Sequence, residues 1–178
     1  MFLDMKSSTS FAEQLGHKTY FRFLSDYYNQ LSNAIIQNKG EVYQYVGDEI
    51  VVTWEKADGL ERHNCIRCFY DMKQSLRKKS SYFEETYGVV PSFRAAIHTG
   101  PVTTGEIGAL KKEIFFTGDV LNVTARIQKL CKPLQQEIII SEALAEQLAP
   151  KGLQLEPLGD MELEGRKKPV ELFAPQLD

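Results

Sequence analysis

Asp4 and Asp48 are the residues of this chain best placed to do chemistry. Asp4 follows Met1-Phe2-Leu3, and Asp48 lies in Tyr45-Val46-Gly47-Asp48-Glu49-Ile50-Val51-Val52, where a strand stops, turns and restarts. An acid beside a buried strand is costly unless it is solvated, paired or holding a cation. Two such acids side by side would bind a hard cation, and hard-cation sites usually serve phosphate chemistry. Directly after the first acid, Ser7-Ser8-Thr9 opens a helical turn. Free backbone N–H groups and the positive end of a helix can cradle phosphate there, although serine and threonine are also ordinary cap residues. His63, Cys65 and Cys68 resemble a metal site in type only. They fall in a helical pattern with no second Cys/His pair after them, so they read as helix residues rather than zinc ligands.

The elements that must position these groups follow from periodicity. Residues 1–5 read as a strand, 10–15 as a short helical turn, and 19–37 as a helix with the stripe Tyr20, Phe23, Leu24, Tyr27, Tyr28, Leu31, Ala34 and Ile35. Gly40 is expected at the left-handed C′ position. A hairpin over 41–45 and 49–54 turns at Gly47-Asp48, and its adjacent Val51 and Val52 predict a strand covered on both faces. A second long helix is expected over 59–87, with Ile66, Phe69, Met72 and Leu76 inward. A strand at 92–98 comes next, then a glycine-punctuated strand pair over 102–110 and 112–116, then a helix from 120 to 130 that Pro133 keeps from extending. Residues 137–140 form a short apolar strand, and Ser141 is a good N-cap for a helix over 142–148. Strands at 153–158 and 169–173 close the chain, with Gly165-Arg166-Lys167-Lys168 turning between them. This order predicts an α+β fold: a βαββαβ core with additional C-terminal strands and helices, the helices lying on one face of a mainly antiparallel sheet.

Size and composition bound the rest. The 178 residues suit one domain, residues 1–178, and the composition is that of a soluble globular protein, 43% hydrophobic and 25% charged. A net charge of −3 gives no support for nucleic-acid binding. No apolar run is long enough to span a bilayer, and no signal peptide is visible. Three cysteines, an odd and sparse count, fit a reducing compartment. The chain opens abruptly inside a strand, which reads as a domain cut from a longer protein.

Five segments taken together resemble the catalytic domain of class III nucleotide cyclases, the homologues of animal adenylyl and guanylyl cyclases. They are Phe2-Leu3-Asp4-Met5-Lys6-Ser7-Ser8-Thr9, Val46-Gly47-Asp48-Glu49, the run from Phe93 to Val102, Gly118-Asp119-Val120-Leu121-Asn122-Val123-Thr124-Ala125-Arg126-Ile127, and the closing run from Leu163 to Phe173. Each motif is weak alone, but together they cover nearly the whole chain in the right order. The resemblance implies a ferredoxin-like core and a head-to-tail homodimer with two composite sites. It implies two Mg2+ or Mn2+ ions per site, held by Asp4, Asp48 and the backbone carbonyl of Met5, and a transition-state pair at Asn122 and Arg126. Asn122 and Arg126 are i and i+4 on one helix face. The Arg would neutralise charge on the α-phosphate oxygens and the Asn would orient the ribose.

Three positions depart from the family pattern. Gln44 stands where adenylyl cyclases carry an adenine-reading lysine, Phe115 where they carry its partner aspartate, and Glu164 where a phosphate-binding lysine is usual. Gln44 both donates and accepts, so it can satisfy adenine, guanine or a pyrimidine edge. Phe115 can stack on a base, with Thr117 as the nearby polar contact. Arg166, Lys167 or Lys168 would have to supply the charge that Glu164 lacks.

The implied reaction is attack of a nucleoside triphosphate's own 3′-hydroxyl on its α-phosphorus, giving a 3′,5′-cyclic nucleotide and pyrophosphate. This makes the expected enzyme a phosphorus–oxygen lyase, with ATP to cyclic AMP favoured and GTP or a pyrimidine triphosphate as alternatives. A non-catalytic dimerisation domain of the same fold is the competing reading, and a polymerase-like palm or a phosphodiesterase ranks last. The resemblance further implies a cytoplasmic domain with an upstream sensor or membrane module in the full-length protein.

Overall fold

The computed structural model describes residues 1–108, 113–165 and 168–177. Its centre is a seven-stranded sheet in the order β2 (Glu41–Val46), β3 (Glu49–Thr53), β1 (Phe2–Met5), β4 (Phe93–Ile97), β7 (Ile138–Ser141), β9 (Val170–Gln176) and β8 (Gln154–Met161). Strand β1 (Phe2–Met5) leads into helix α1 (Ser8–Gln37), hairpin β2 (Glu41–Val46) and β3 (Glu49–Thr53), a helical region, and then β4 (Phe93–Ile97). β1 lies antiparallel between β3 and β4, so these elements make the expected ferredoxin-like βαββαβ core. β7 (Ile138–Ser141) adds parallel to β4, and β9 (Val170–Gln176) with β8 (Gln154–Met161) completes the sheet antiparallel. β5 (Thr103–Ile107) and β6 (Glu113–Thr117) form a separate two-stranded ribbon.

Alternation along the central strands builds two apolar layers. Leu3, Ile50, Val52, Ala95 and Ile97 enter one core with α1, while Ala96 and Ile139 enter a second with Val123, Ile127 and Cys131. The second layer belongs to α5 (Asp119–Leu130). Helices therefore cover both faces of the sheet, not one as the element order suggested. The physical reason is that the central strands are apolar on both sides, so the face opposite α1 also needs a cover. Val51 and Val52 are 4% and 0% exposed on opposite faces, as their lack of polar alternation predicted.

The expected continuous helix over 59–87 is broken. It comprises α2 (Lys56–Leu60), a 3₁₀ turn (Glu61–His63), α3 (Asn64–Lys78) and α4 (Ser80–Tyr87). Arg62 and His63 adopt φ of 47° and 58°, outside helical space, and Lys79 bends the chain before α4. The inward residues Ile66, Phe69, Met72 and Leu76 are buried as expected, and Cys65 and Cys68 pack into the same core. Burial pushes the thiols of Cys65 and Cys68 up to about 11 and about 12, the opposite of what a metal-binding thiol needs. α1 starts earlier than its stripe indicated and kinks at Gly16, which has φ 69° and ψ 162°.

Two local expectations move by a residue or a partner. Lys39, with φ 57°, takes the left-handed position after α1, whereas Gly40 is small for another reason. A Cβ at Gly40 would lie 3.0 Å from the Trp54 ring and from Val52. Ser141 precedes α6 (Glu142–Leu148), but its side chain makes no cap bond. Its hydroxyl instead lies 2.7 Å from His98 Nδ1, and the residue is fully buried.

Candidate active site

The two acids meet. Asp4 leaves the end of β1 on the α5 side of the sheet, because its neighbours Leu3 and Met5 are committed to the opposite core. Asp48 comes off the β2–β3 turn, close enough to Asp4 for its charge to act on the Asp4 carboxyl. Burial raises the Asp4 carboxyl above its ordinary value, and the Asp48 charge raises it further. Two partners act in the other direction. The Gln128 side chain of α5 approaches Asp4 and favours its ionised form, and Arg94, paired across from Asp4 on β4, contributes positive charge. Burial also raises Glu49, as do both aspartates. Asp48 Oδ2 is buried and finds no hydrogen-bond partner among the described residues.

Aromatic residues of α1 support the turn that carries Asp48. Tyr28 donates its hydroxyl to the Gly47 carbonyl, and its ring packs on Tyr45 at 4.5 Å between centroids. Burial first and the Asp48 charge second push the Tyr28 phenol up to about 12. The Tyr27 hydroxyl is buried close enough to feel both aspartates, without a hydrogen-bond partner among the described residues. The sequence presents Tyr27 and Tyr28 as members of an apolar stripe. Only their hydroxyls, inside a stripe that an aliphatic residue would also satisfy, hint at this second duty. Arg94 and Gln128 carried no sequence signal of their own.

A donor set of two carboxylates with an unpartnered buried oxygen suits a divalent cation. Among the described residues no group of three or more His, Cys, Asp or Glu side chains gathers as a metal cluster, so the two aspartates would need the backbone to complete a site. Met5 ends β1 and is buried in the α1 core. Ser7 takes the N-cap of α1 in a left-handed conformation, φ 61° and ψ 23°, with no side-chain cap bond. The first N–H groups of α1, at Ser8 and Thr9, therefore receive no side-chain oxygen from Ser7. The adjacent Lys6 is turned away, 2.9 Å from Glu137, which Lys73 also binds.

Asn122 and Arg126 lie elsewhere on α5. Asn122 is exposed, and the Arg126 guanidinium lies beside Gly165, 3.4 Å from where its Cβ would be. On the helix, Gln128 is roughly 120–160° around from this pair. The flank of α5 that serves Asp4 is thus not the flank that carries Asn122 and Arg126. Gln44 is exposed on β2, Phe115 is 44% exposed on β6, and the Thr117 hydroxyl points to the Thr103 carbonyl at 3.4 Å. Arg166 and Lys167 lie outside the described residues.

The sequence model of the adenylate and guanylate cyclase catalytic domain matches residues 1–174. The chain belongs to that family. The cyclase domain is 34% identical over 167 residues to adenylate cyclase 2 of Rhizobium meliloti (strain 1021), covering 93% of this chain and 46% of that protein. The chain thus spans less than half the length of this curated relative. Among solved structures, the cyclase domain superposes on the adenylyl cyclase CyaB from P. aeruginosa with a TM-score of 0.78 at 20% identity, covering 99% and 92% of the two chains. It matches the guanylate cyclase domain of RhGC from Catenaria anguillulae, in complex with GTP, with a TM-score of 0.81 at 18% identity, covering 98% and 93%. At these identities the likeness to solved structures is one of fold, and it shows a class III cyclase fold. The family is one of phosphorus–oxygen lyases, so the domain is enzymatic. No helix among the described residues is long and apolar enough to cross a membrane.

Proposed function

We propose that residues 1–178 form one catalytic domain of a longer protein and convert ATP to 3′,5′-cyclic AMP and pyrophosphate at the interface of a homodimer. The observation that carries this reading is the convergence of Asp4 and Asp48 around an unpartnered carboxylate oxygen, next to the uncapped start of α1. Mg2+ or Mn2+ ions held by Asp4, Asp48 and the Met5 carbonyl would supply Lewis acidity and neutralise triphosphate charge when bound. The chain's own groups do the rest. The N–H groups of Ser8 and Thr9, with the positive end of α1, hold the terminal phosphates. Arg126 stabilises charge on the α-phosphate as the 3′-hydroxyl closes on it, and Asn122 holds the ribose so that the tethered nucleophile is aligned.

The position of Asn122 and Arg126 on the far flank of α5 favours a composite site, with the acids of one copy facing the Asn/Arg pair of the other. Two identical chains then make two such sites. The choice of ATP rests on the relatives, since those in Rhizobium meliloti and Anabaena cylindrica at 34% and 27% identity are adenylate cyclases. An upstream sensor or membrane module, with this domain in the cytoplasm, fits the chain's partial coverage of those proteins.

The test is a panel of ATP, GTP, CTP and UTP with Mg2+ and Mn2+ in turn, at several protein concentrations. Cyclic AMP and pyrophosphate are expected in equal amounts, at a rate per chain that rises with concentration, and Asp48→Ala should abolish both. A flat concentration dependence in the monomeric range would reject the shared site. Greater turnover of GTP would reassign the base.

A further inference from the structure

β2 and β3 do not pair evenly. Val42 faces Val52 and Gln44 faces Val51, so Tyr43 and Gln44 together oppose one step of β3. This is a β-bulge, and it decides where Gln44 points. Val52 belongs to the α1 core, as does Val42 opposite it. Strict alternation would put Tyr43 on the α5 face and send Gln44 back toward α1. The extra residue instead aligns Gln44 with Val51, which is paired with Phe2 in the next strand. Phe2 and Asp4 share the α5 face, so the bulge brings Gln44 onto the face that carries the candidate active site.

Tyr43 holds this irregularity in place. Its ring stacks on Phe116 of β6 at 4.3 Å with 5° between the planes. Its hydroxyl accepts the Phe116 backbone N–H at 3.1 Å. The same contact joins the two-stranded ribbon to the large sheet. Phe115 and Thr117 flank Phe116 in sequence and emerge from the other side of the ribbon. Anchoring Phe116 therefore fixes where they emerge relative to Gln44.

We propose that Tyr43, through the bulge and its stack with Phe116, is the positioning residue that sets base selectivity in this domain by presenting Gln44 to the nucleotide groove. The inference rests on the cyclase reading above and deepens it. Tyr43 itself does not touch the reacting atoms.

The test compares kcat/KM for ATP and for GTP in the homodimeric domain. In parallel it compares Kd for 3′-deoxy-ATP and 3′-deoxy-GTP, which bind but lack the nucleophile. Tyr43→Leu, which removes the stack, should move both ratios toward unity by about tenfold. Phe116→Leu breaks the same stack from the ribbon side and should give the same change. The double variant should go no further than either single one. Tyr43→Phe keeps the ring and should hold both ratios within about twofold of wild type. A purely structural role would lower ATP and GTP values together and leave the ratios alone. Folded Tyr43→Leu or Phe116→Leu protein with unchanged ratios overturns the inference, as does a wild-type ratio already near unity. If wild type forms no cyclic product, the cyclase reading fails and the 3′-deoxy binding ratios decide the role of Tyr43 by themselves.

Discussion

Asp48 Oδ2 is a carboxylate oxygen held out of water without a partner among the described residues, close to a second carboxyl. Such an arrangement weakens the empty fold and is relieved by a cation. Asp48→Asn is therefore expected to lower cyclase activity by at least about a hundredfold while leaving the melting temperature unchanged or higher. Cyclic product and thermal unfolding, measured on the same preparation, check both halves. Loss of activity with a lower melting temperature would make Asp48 a structural residue. Glu137 shows the opposite electrostatics. Burial pushes its carboxyl up, but hydrogen bonds from Lys73 and Lys6 outweigh that and hold it below its ordinary 4.5. It thus binds its proton less readily folded than unfolded. The stability it contributes is present above about pH 4.5 and is lost as pH falls through the lower folded value. The side chain is 45% exposed, so solvent screening keeps this below about 1 kcal/mol. Urea midpoints of wild type and Glu137→Gln should differ at pH 7 and converge on acidification, and a gap that persists at pH 3 would refute the pairing.

At the scale of elements, α5 links the site to the sheet, and its entry is tightly constrained. Gly118 precedes the helix with φ 149°, and a Cβ there would lie 2.9 Å from the Pro101 carbonyl oxygen. A side chain at that point must push backbone away and tilt the helix that bears Asn122 and Arg126. Gly118→Ala is expected to destabilise the domain by about 1–3 kcal/mol and to depress kcat more than KM for ATP. Denaturant unfolding and steady-state kinetics read these directly. Gly40 constrains the other end of α1 through Trp54 and Val52, whose side chains leave no space for a methyl group. Gly40→Ala should cost about 1–3 kcal/mol from overpacking, seen as a lower denaturant midpoint, with little change in KM for ATP because Gly40 lies away from the acid pair.

At the scale of the whole molecule, the proposed composite site, with Asp4 and Asp48 of one copy facing Asn122 and Arg126 of another, makes a quantitative claim about two chains. Asp48→Ala and Arg126→Ala should each be inactive alone. Mixed in equal amounts and allowed to exchange subunits, half of the dimers carry one of each, and each of those rebuilds one intact site. Activity should return to about a quarter of wild type. Activity that stays at zero after exchange, with dimers present by light scattering, would mean that one chain supplies the whole site.

The sequence by itself determined the local features. A 3.6-residue stripe placed α1, two adjacent valines marked a strand covered twice, and a glycine-aspartate turn placed Asp48 at a tip. The five motifs, in their order along the chain, carry the resemblance to the cyclase family. These follow from short-range chemistry: side-chain periodicity, turn residues and strand caps. The tertiary structure alone decided what depends on partners distant in the chain. It brought Asp4 and Asp48 together, put Gln128 and Arg94 beside them, and gave the Tyr28 hydroxyl a carbonyl to hold. It drew the Ser141 hydroxyl away from its helix to His98, and it broke the long helix at Arg62, His63 and Lys79. It also inserted Tyr43 as a bulge, which no strand pattern reveals, because a bulge is a relation between two strands and a stacking partner rather than a property of either sequence segment.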